Sequence, residues 1–224
     1  MTISLLARDA ATGAFGMIVS SSSPAVAARC LHLRAGAGAV ASQNVTNPAL
    51  GSALLDALEG GADAAAAITA VLADEAFPEH RQLVVVDGGG RTAVHSGARA
   101  LGLHAAAQGE AAAAAGNLLA HEGVPAAMLA AYAASEAATF EERLLDALRG
   151  ALEAGGEAGP VRSAGLAVVE DVSWRVTDLR VDDADDPVAE LDRLLGVWLP
   201  QKRDYRMRAL DPEAAPSYGV PGDE

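Results

Sequence analysis

The strand-like segments of this sequence come in adjacent pairs, and this order constrains the fold more than any other feature. Residues 2–8 and 14–20 are apolar segments separated by Asp9-Ala10-Ala11-Thr12-Gly13, whose residue types favour a tight turn. Residues 82–87 and 92–95 flank Gly88-Gly89-Gly90 in the same way, which is a strong hairpin signal. Strands that follow one another without an intervening helix predict antiparallel sheets with helices packed outside, and therefore an α+β fold.

The rest of the chain supplies further strands and the helices. Its patterns predict strands at 36–43, 103–108, 163–170 and 174–181, and helices at 51–59 and 63–74, from Pro125 through Tyr132, from Thr139 to about 154, and from Asp186 onward. The fourth of these helices opens with Thr139-Phe140-Glu141-Glu142, the capping-box pattern. No linker-like stretch divides the chain, so we expect one domain at residues 1–200 and a polar C-terminal tail at 201–224.

Charge and composition exclude several classes of partner. The formal net charge of −14 repels phosphate backbones and anionic lipid surfaces, so we expect no nucleic-acid partner and no membrane partner. Cys30 is the one cysteine, which excludes an internal disulfide and fits a reducing compartment. Because no export-signal pattern precedes Thr2 and no apolar run reaches the length of a bilayer, the sequence predicts a cytoplasmic protein.

The sequence predicts no metal site and no cofactor. None of the five histidines stands at a helical i, i+4 spacing with a carboxylate between, and Cys30 has no second cysteine beside it. Glycine-rich nucleotide-binding patterns are also absent from the sequence. The acidic run at 182–186 lacks the glycine and the distant glutamate of a calcium loop, so we interpret it as a solvated loop whose last residue caps a helix.

Thr2 is the leading candidate nucleophile. It follows the start methionine directly, and it is small enough for that methionine to be removed. Removal would leave a hydroxyl and a free α-amine on one residue, so that the amine serves as the base for the hydroxyl. The reference pKa of an α-amine, about 7.7–8.0, suits proton transfer near neutral pH. The alternative is that Thr2 is an ordinary β-branched residue at the start of a strand.

Cleavage of an amide also requires donors for the oxyanion and contacts for the substrate. Asn44 and Asn117 are the candidate donors, because each follows a segment of small or apolar residues and would project from the end of a sheet; turn chemistry beside Pro48 and Gly116 is the alternative. The candidate substrate contacts are Gln43, Thr46, His95 and the serines Ser21, Ser22 and Ser23. His95 is equally well explained as a hydrogen-bonded structural histidine, and we expect the Cys30 thiol to be buried and inert.

A series of short motifs extends in order along the whole chain. They are Thr2-Ile3-Ser4-Leu5-Leu6-Ala7-Arg8-Asp9 with Thr12-Gly13, Ser21-Ser22-Ser23-Pro24-Ala25-Val26, Arg34-Ala35-Gly36, the run from Gly38 to Pro48, Arg81-Gln82, Asp87, His95-Ser96-Gly97, Gly116-Asn117, Ser163-Ala164 and Asp178-Leu179-Arg180-Val181-Asp182. With these motifs the chain resembles the family labelled domain of unknown function 1028 (DUF1028), which is considered part of the N-terminal nucleophile (Ntn) hydrolase superfamily.

This resemblance implies both a fold and a mechanism. The implied fold is a four-layer αββα sandwich, in which two antiparallel sheets lie face to face between helical layers. In Ntn hydrolases the first residue of the mature chain attacks an amide, and its own α-amine takes the proton. Carried over to this sequence, the resemblance makes Thr2 the nucleophile, and it makes Asn44 and Asn117 oxyanion or substrate-binding residues.

Two hypotheses from different classes follow. The first is an amidohydrolase that cleaves a C–N bond of a small linear amide or ureide through Thr2, with that small molecule as its partner. The second is a non-catalytic small-ligand-binding or assembly protein on the same fold, which retention of Met1 would favour. A metal-dependent enzyme that uses the acidic run at 182–186 is the weakest alternative. The alanine-rich helices and the segment at 198–218 lead us to expect a homo-oligomer, either a dimer or a higher assembly.

Overall fold

Ten strands and six α-helices make up residues 1–222, the part of the chain that the computed structural model describes. The strands are β1 (Thr2–Arg8), β2 (Phe15–Ser21), β3 (Leu31–Arg34), β4 (Gly38–Asn44), β5 (Arg81–Asp87), β6 (Thr92–Ser96), β7 (His104–Gly109), β8 (Ala112–Asn117), β9 (Ser163–Val169) and β10 (Arg175–Val181). The helices are α1 (Val26–Cys30), α2 (Ala49–Glu59), α3 (Ala64–Ala73), α4 (Val124–Ala134), α5 (Phe140–Glu153) and α6 (Pro187–Leu210), and a 3₁₀ turn covers Pro78–His80.

Sheet A has six antiparallel strands in the order β10-β9-β2-β1-β8-β7. Its central hairpin joins β1 to β2 through a turn in which Asp9 accepts hydrogen bonds from the backbone N–H and the hydroxyl of Thr12, at 3.0 and 2.7 Å. On its other side β1 pairs with β8, where Thr2 lies opposite Asn117. The strand that begins at Thr2 therefore lies in the middle of the sheet, with a paired strand on each side.

Sheet B has four antiparallel strands in the order β3-β4-β5-β6. The hairpin predicted around the three glycines is confirmed, and it joins β5 to β6. Gly90 has a positive φ of 82°, a conformation that glycine adopts without strain. Asp87 holds the turn, because its carboxylate accepts from the backbone N–H groups of Gly89 and Arg91 at 2.9 and 3.0 Å.

Three apolar clusters form the core, one between the sheets and one on the outer face of each. The cluster between the sheets draws on Leu6, Met17 and Val19 of sheet A and on Ala39, Ala41, Val84 and Val86 of sheet B. Outside sheet A, apolar residues of β1, β2 and β9 pack against α4, α5 and α6 through Met128, Leu144, Leu145, Leu148 and Leu191. Outside sheet B, Val40, Leu83 and Val85 pack against α2 and α3 through Leu54, Leu55, Leu58 and Ile68. Successive side chains of a strand point to opposite faces of its sheet, and in these strands both sets are apolar. Each sheet can therefore pack against the other sheet on one face and against helices on the other.

The predicted α+β class and the antiparallel sheets are confirmed, but three elements were not predicted. α1 and β3 occupy residues 26–34, where a helix of five residues is too short to show a helical period. β8 is composed of four alanines followed by Gly116 and Asn117. Alanine has little preference for strands, so the pairing of β8 with β1 and β7 decides its conformation.

The last helix extends from the predicted start at Pro187 through Leu210, into the segment expected to be a tail. Pro200 lies inside it and removes a helical hydrogen bond. Contacts with the body of the protein compensate, because Lys202 forms ion pairs of 2.7 Å with both Glu141 and Glu170. Although α6 has 24 residues, no helix in residues 1–222 combines the length and the apolarity needed to cross a membrane.

Candidate functional site

Thr2 faces the space between the two sheets. Alternate residues of a strand share a face, so Thr2 shares its face with Ser4 and Leu6. Leu6 belongs to the cluster between the sheets, and the Ser4 hydroxyl donates to Gln43 Oε1 of sheet B at 2.7 Å. Only 6% of Thr2 is exposed. The hydroxyl therefore lies in a buried environment at the end of the central strand, with polar groups of both sheets close by.

Met1 precedes Thr2, and the hydrogen bonds to the Met1 carbonyl oxygen show which donors lie close to Thr2. The Thr2 hydroxyl donates to the Met1 carbonyl oxygen at 2.7 Å, and the Ser21 hydroxyl donates to the same oxygen. The Met1 side chain lies against Gly159, where an added Cβ would be 2.9 Å from the Met1 Cε atom. A carbonyl group beside Thr2 is therefore held by two hydroxyl donors.

The serines at 21–23 lie at the end of β2, next to the start of β1. Ser21 is fully buried, and its Oγ is 2.9 Å from Ser23 Oγ. Ser23 Oγ also accepts from Arg29 Nη2 at 2.9 Å, while its carbonyl oxygen accepts from the hydroxyl of Ser163 at 2.6 Å. The structure thus brings Ser21 and Ser23 into one hydroxyl cluster beside the Met1 carbonyl, and Arg29 binds this cluster through Ser23.

A chain of buried amide side chains adjoins Thr2 between the sheets. Gln43 Nε2 and Asn117 Nδ2 both donate to Gln82 Oε1, at 2.8 and 3.1 Å. Gln82 Nε2 in turn donates to Ser96 Oγ at 3.0 Å. The three amides are at most 1% exposed, so these bonds determine their orientations. Sequence reasoning did not single out Gln82 as a site residue, although Arg81-Gln82 is among the motifs that carry the family resemblance.

Three other candidate residues are engaged in holding loops. Asn44 Nδ2 donates to the carbonyl oxygen of His80 at 2.6 Å, and Asn44 Oδ1 accepts from the Leu101 N–H at 3.1 Å. His95 Nε2 lies 3.0 Å from the carbonyl oxygen of Pro78. Thr46 Oγ1 lies 3.7 Å from the Sγ of Cys30. The structure therefore does not gather these residues around Thr2 as it does Ser21 and Asn117.

The Cys30 thiol is buried, as predicted. Burial raises the pKa of this thiol above its ordinary value, and the hydrogen bond with Thr46 and the charge of Arg29 offset this only in part. The neutral thiol is the form present at neutral pH, and it is a poor nucleophile.

Glu157 is a residue of this site that the sequence analysis missed. It lies in the loop between α5 and β9, is 6% exposed, and its Oε2 accepts from the Ser22 N–H at 3.1 Å. Burial raises its pKa to about 7, although the Ser22 bond and the positive amino terminus act in the opposite direction. The surrounding run, Gly155-Gly156-Glu157, shows no pattern that would have distinguished this glutamate from a solvated loop residue.

No group of three His, Cys, Asp or Glu side chains in the described part of the chain is arranged to hold a metal ion. Two arginines pair with residues of the acidic run at 182–186 instead. Arg162 pairs with Asp183 at 3.0 Å, and Arg180 pairs with Asp182 at 2.9 Å. Asp186 accepts from a backbone N–H three residues on, at 3.0 Å, which confirms the predicted helix cap.

Three surface cavities are lined by residues away from Thr2. Cavities of about 670 and 870 Å³ lie at the opposite end of β1 and share Asp9 and Arg143. The third, of about 420 Å³, is lined by α2 and α3 residues together with Asn47 and Glu75. With Met1 in place, these cavities are separate from the polar cluster around Thr2.

Comparison with known proteins identifies one clear similarity. A family model described as a family of unknown function, DUF1028, matches residues 2–191. The crystal structure of protein SPO2555 from Silicibacter pomeroyi, which carries the same family label, matches with a TM-score of 0.82 at 30% identity and covers 88% of both chains. No curated protein matches the sequence significantly.

Weaker matches are to Anbu proteins. Anbu (ancestral β-subunit) from Yersinia bercovieri matches with a TM-score of 0.40 at 12% identity, over 89% of this chain and 95% of that one. Anbu from Hyphomicrobium sp. strain MC1 matches with a TM-score of 0.38 at 10% identity, over 98% and 100% of the two chains.

Proposed function

This chain belongs to the DUF1028 family, and from that premise we propose that it is an amidohydrolase of the Ntn hydrolase superfamily whose nucleophile is Thr2. The observation that carries the proposal is the position of this residue. Thr2 begins the central strand of sheet A, faces sheet B, and has the hydroxyl of Ser21 and the amide of Asn117 beside it.

The same proposal includes the arrangement of layers. α4, α5 and α6 pack on the outer face of sheet A, and α2 and α3 pack on the outer face of sheet B. Together with the cluster between the sheets, these contacts support a four-layer αββα sandwich. In that architecture the start of β1 opens between the two sheets, where a small substrate would enter.

The proposed reaction begins with removal of Met1, which frees the α-amine of Thr2. The amine takes the hydroxyl proton as Oγ1 forms a bond to the carbonyl carbon of the substrate, and an electron pair moves to the carbonyl oxygen. The C–N bond then breaks, and the leaving nitrogen takes the proton from the ammonium. Water hydrolyses the resulting ester and restores Thr2.

The contacts of the Met1 carbonyl suggest how a substrate carbonyl would be bound. Ser21 already donates to the Met1 oxygen, so we assign its hydroxyl to the carbonyl oxygen of the substrate, with Asn117 next to it. Asn44 and His95 retain their loop contacts in this proposal and act by holding the site in shape. The room that one residue leaves is small, which favours a small linear amide or ureide.

The proposal is tested with Thr2→Ala, Thr2→Ser and the exposed control Thr69→Ala. Intact mass shows whether Met1 is removed, and a panel of small amides and ureides measures turnover. Thr2→Ala should lose at least about two to three orders of magnitude in rate, Thr2→Ser should retain measurable activity because its hydroxyl survives, and Thr69→Ala should match the wild type. Equal turnover by Thr2→Ala and the wild type would eliminate the proposal.

A second candidate function is non-catalytic binding of a small ligand on the same fold. The two cavities of about 670 and 870 Å³ that share Asp9 and Arg143 favour it, because they are large enough for a small ligand and lie far from Thr2. Retention of Met1 on the native protein, together with a ligand that binds Thr2→Ala as well as the wild type, would support this function over catalysis.

The cellular setting is part of the proposal. We infer a cytoplasmic homo-oligomer that acts on a small molecule without a cofactor, a nucleic-acid partner or a membrane partner. The net charge of −14 supports the last two points, and light scattering on purified protein measures the number of subunits.

A further inference from the structure

Glu157 is a buried carboxylate with one oxygen that receives no donor. Its Oε2 accepts from the Ser22 N–H at 3.1 Å. Among residues 1–222, no donor lies within hydrogen-bond distance of its Oε1, which is shielded from solvent. A buried carboxylate oxygen without a donor is costly, so its presence in a folded protein requires an explanation.

Glu157 lies next to the residues that follow β8, near the start of β1. The chain continues past Asn117, the partner of Thr2, through residues 118–120, of which Leu118 has a left-handed φ of 52° and lies outside the strand. Residues 156–158 bond to that continuation through two backbone hydrogen bonds of 3.0 Å, and Glu157 bridges to its middle residue. The segment that carries Glu157 is thus paired with the residues that directly follow the strand partner of Thr2.

Met1 contacts the chain just after this segment. Its side chain packs against Gly159, two residues after Glu157, and its positive amino terminus lowers the pKa of Glu157. Removal of Met1 moves the positive charge of the amino terminus to Thr2 and vacates the space that Met1 fills beside Gly159. The Ser22 N–H binds Glu157 and the Ser21 hydroxyl binds the Met1 carbonyl oxygen, so the carboxylate and the new amine lie near the same end of β2.

We propose that Glu157 is the charge partner of the Thr2 α-amine in the processed chain, with its Oε1 accepting a hydrogen bond from that amine. This inference rests on the proposed function. It makes Glu157 a positioning residue, because it acts through the amine and does not touch the substrate. The hydroxyl proton still moves to the amine, and ionised Glu157 stabilises the ammonium that forms, because a nearby opposite charge favours the charged form of a titratable group.

Other charged or titratable groups at this end of the sheet include Arg162, whose backbone N–H donates to the Ser21 carbonyl oxygen at 2.8 Å and whose guanidinium pairs with Asp183, and His104, which lies opposite Asn117 on β7. Arg29 binds Ser23 Oγ, the Cys30 thiol is buried and neutral, and His121 Nε2 bonds the carbonyl oxygen of Ala154. Arg29 would lower the pKa of the amine, whereas Glu157 would raise it. The carboxylate of Glu157 is therefore the group whose removal should change the amine in a characteristic direction.

The experiment measures the pKa of the Thr2 amine without reference to turnover. Each protein is released from a cleavable amino-terminal fusion so that Thr2 is the first residue, and periodate oxidation, which attacks an amine and a hydroxyl on adjacent carbons, verifies the free terminus. The rate of amine acetylation is then followed against pH by mass spectrometry. The variants are Glu157→Gln and, as a matched control, Glu153→Gln, which removes the same charge from an exposed position at the end of α5.

In Glu157→Gln, the pKa of the Thr2 amine should fall by about 1 unit or more, so that acetylation below both pKa values becomes roughly tenfold faster or more. Glu153→Gln should match the wild type. Equal acetylation profiles for Glu157→Gln and the wild type would overturn the pairing. A shifted pKa without turnover of any amide would instead leave the pairing intact and count against the proposed function.

A measurement on unsubstituted protein covers the case in which Glu157→Gln does not fold. Carbon-13 NMR of labelled glutamate compares the chain that begins at Thr2 with the chain that retains Met1. The Glu157 carboxyl should titrate at lower pH in the first, because the amine is then its direct partner. Identical titration in the two forms would refute the proposal.

Discussion

Replacing Gln82 by leucine should destabilise the protein strongly, because Gln82 joins the two sheets next to Thr2. Its Oε1 accepts from Gln43 and Asn117 at 2.8 and 3.1 Å, and its Nε2 donates to Ser96 Oγ and the Gly116 carbonyl at 3.0 and 3.1 Å. Leucine has a similar size but offers none of these bonds. Asn117 Nδ2 would lose its acceptor, while Gln43 keeps a bond of 3.3 Å to a backbone carbonyl.

The magnitude follows from counting the groups that lose a partner. The three groups are Asn117 Nδ2, the Gly116 carbonyl oxygen and Ser96 Oγ. A polar group left unsatisfied inside a protein costs about 1–3 kcal/mol, so three such groups cost about 3–9 kcal/mol. The buried leucine side chain returns about 1.5–3 kcal/mol of apolar transfer free energy. The midpoints of these two ranges differ by about 4 kcal/mol, which is the net loss that we expect in the free energy of unfolding. For a chain of this length, that corresponds to a Tm lower by roughly 8–16 °C.

Urea denaturation followed by circular dichroism measures this change, with Gln108→Leu as the control. Gln108 is an exposed glutamine on β7, and its replacement should alter the free energy of unfolding by less than about 0.5 kcal/mol. The slope of the transition should be similar for all three proteins, since the surface exposed on unfolding is nearly the same. If Gln82→Leu were as stable as Gln108→Leu, the buried amides would not be the connection between the sheets that we describe.

Two further predictions concern stability. Burial alone would raise the pKa of Asp87, but hydrogen bonds from Ala64, Arg91 and Gly89 lower it overall, so the stabilising effect of the carboxylate should be present above its unfolded pKa of about 3.9 and lost as the pH falls through its folded pKa. In Asp87→Asn, the urea midpoint should therefore be lower than that of the wild type at pH 7 and should fall less on acidification. A pH dependence equal to that of the wild type would contradict this prediction. The Thr139 hydroxyl accepts the cap bond of α5 from the backbone N–H three residues on, at 3.2 Å, so Thr139→Ala should lower the free energy of unfolding, measured by thermal unfolding, by about 0.5–2 kcal/mol. The control Thr69→Ala changes an exposed residue in the middle of a helix and should lower it far less. Equal losses in the two variants would argue against the capping box.

Much of the secondary structure was predictable because it depends on local chemistry. The turn after Asp9, the glycine hairpin after Asp87 and the capping box at Thr139 are each confirmed, since the residues that form them are neighbours in sequence. The start of α6 at Pro187, with its cap, was predictable for the same reason. β8 was not, because nothing in a run of alanines distinguishes a buried strand from a helix until its neighbours are known.

Some residues of the candidate site could be predicted from the sequence, and others could not. Thr2, Ser21 and Asn117 were identifiable as polar residues at the ends of apolar segments, and the structure brings them together. Asn44 carried the same signal, yet its amide binds the backbone at His80 and Leu101. Which asparagine faces the other sheet depends on the register and the twist of each strand, and neither can be read from a single residue and its flanks.

By itself, the sequence determined that strands pair as antiparallel hairpins, that small apolar residues form the core, and that Thr2 starts a strand. Tertiary structure alone decided that β1 is central, that Gln82 links the sheets, and that Glu157 binds Ser22 near the amino terminus. The physical reason is the separation along the sequence between the groups that interact. Turns and caps are set by hydrogen bonds within a few residues, whereas the Ser22–Glu157 contact joins groups 135 positions apart, which only the packing of the sheets brings within 3.1 Å.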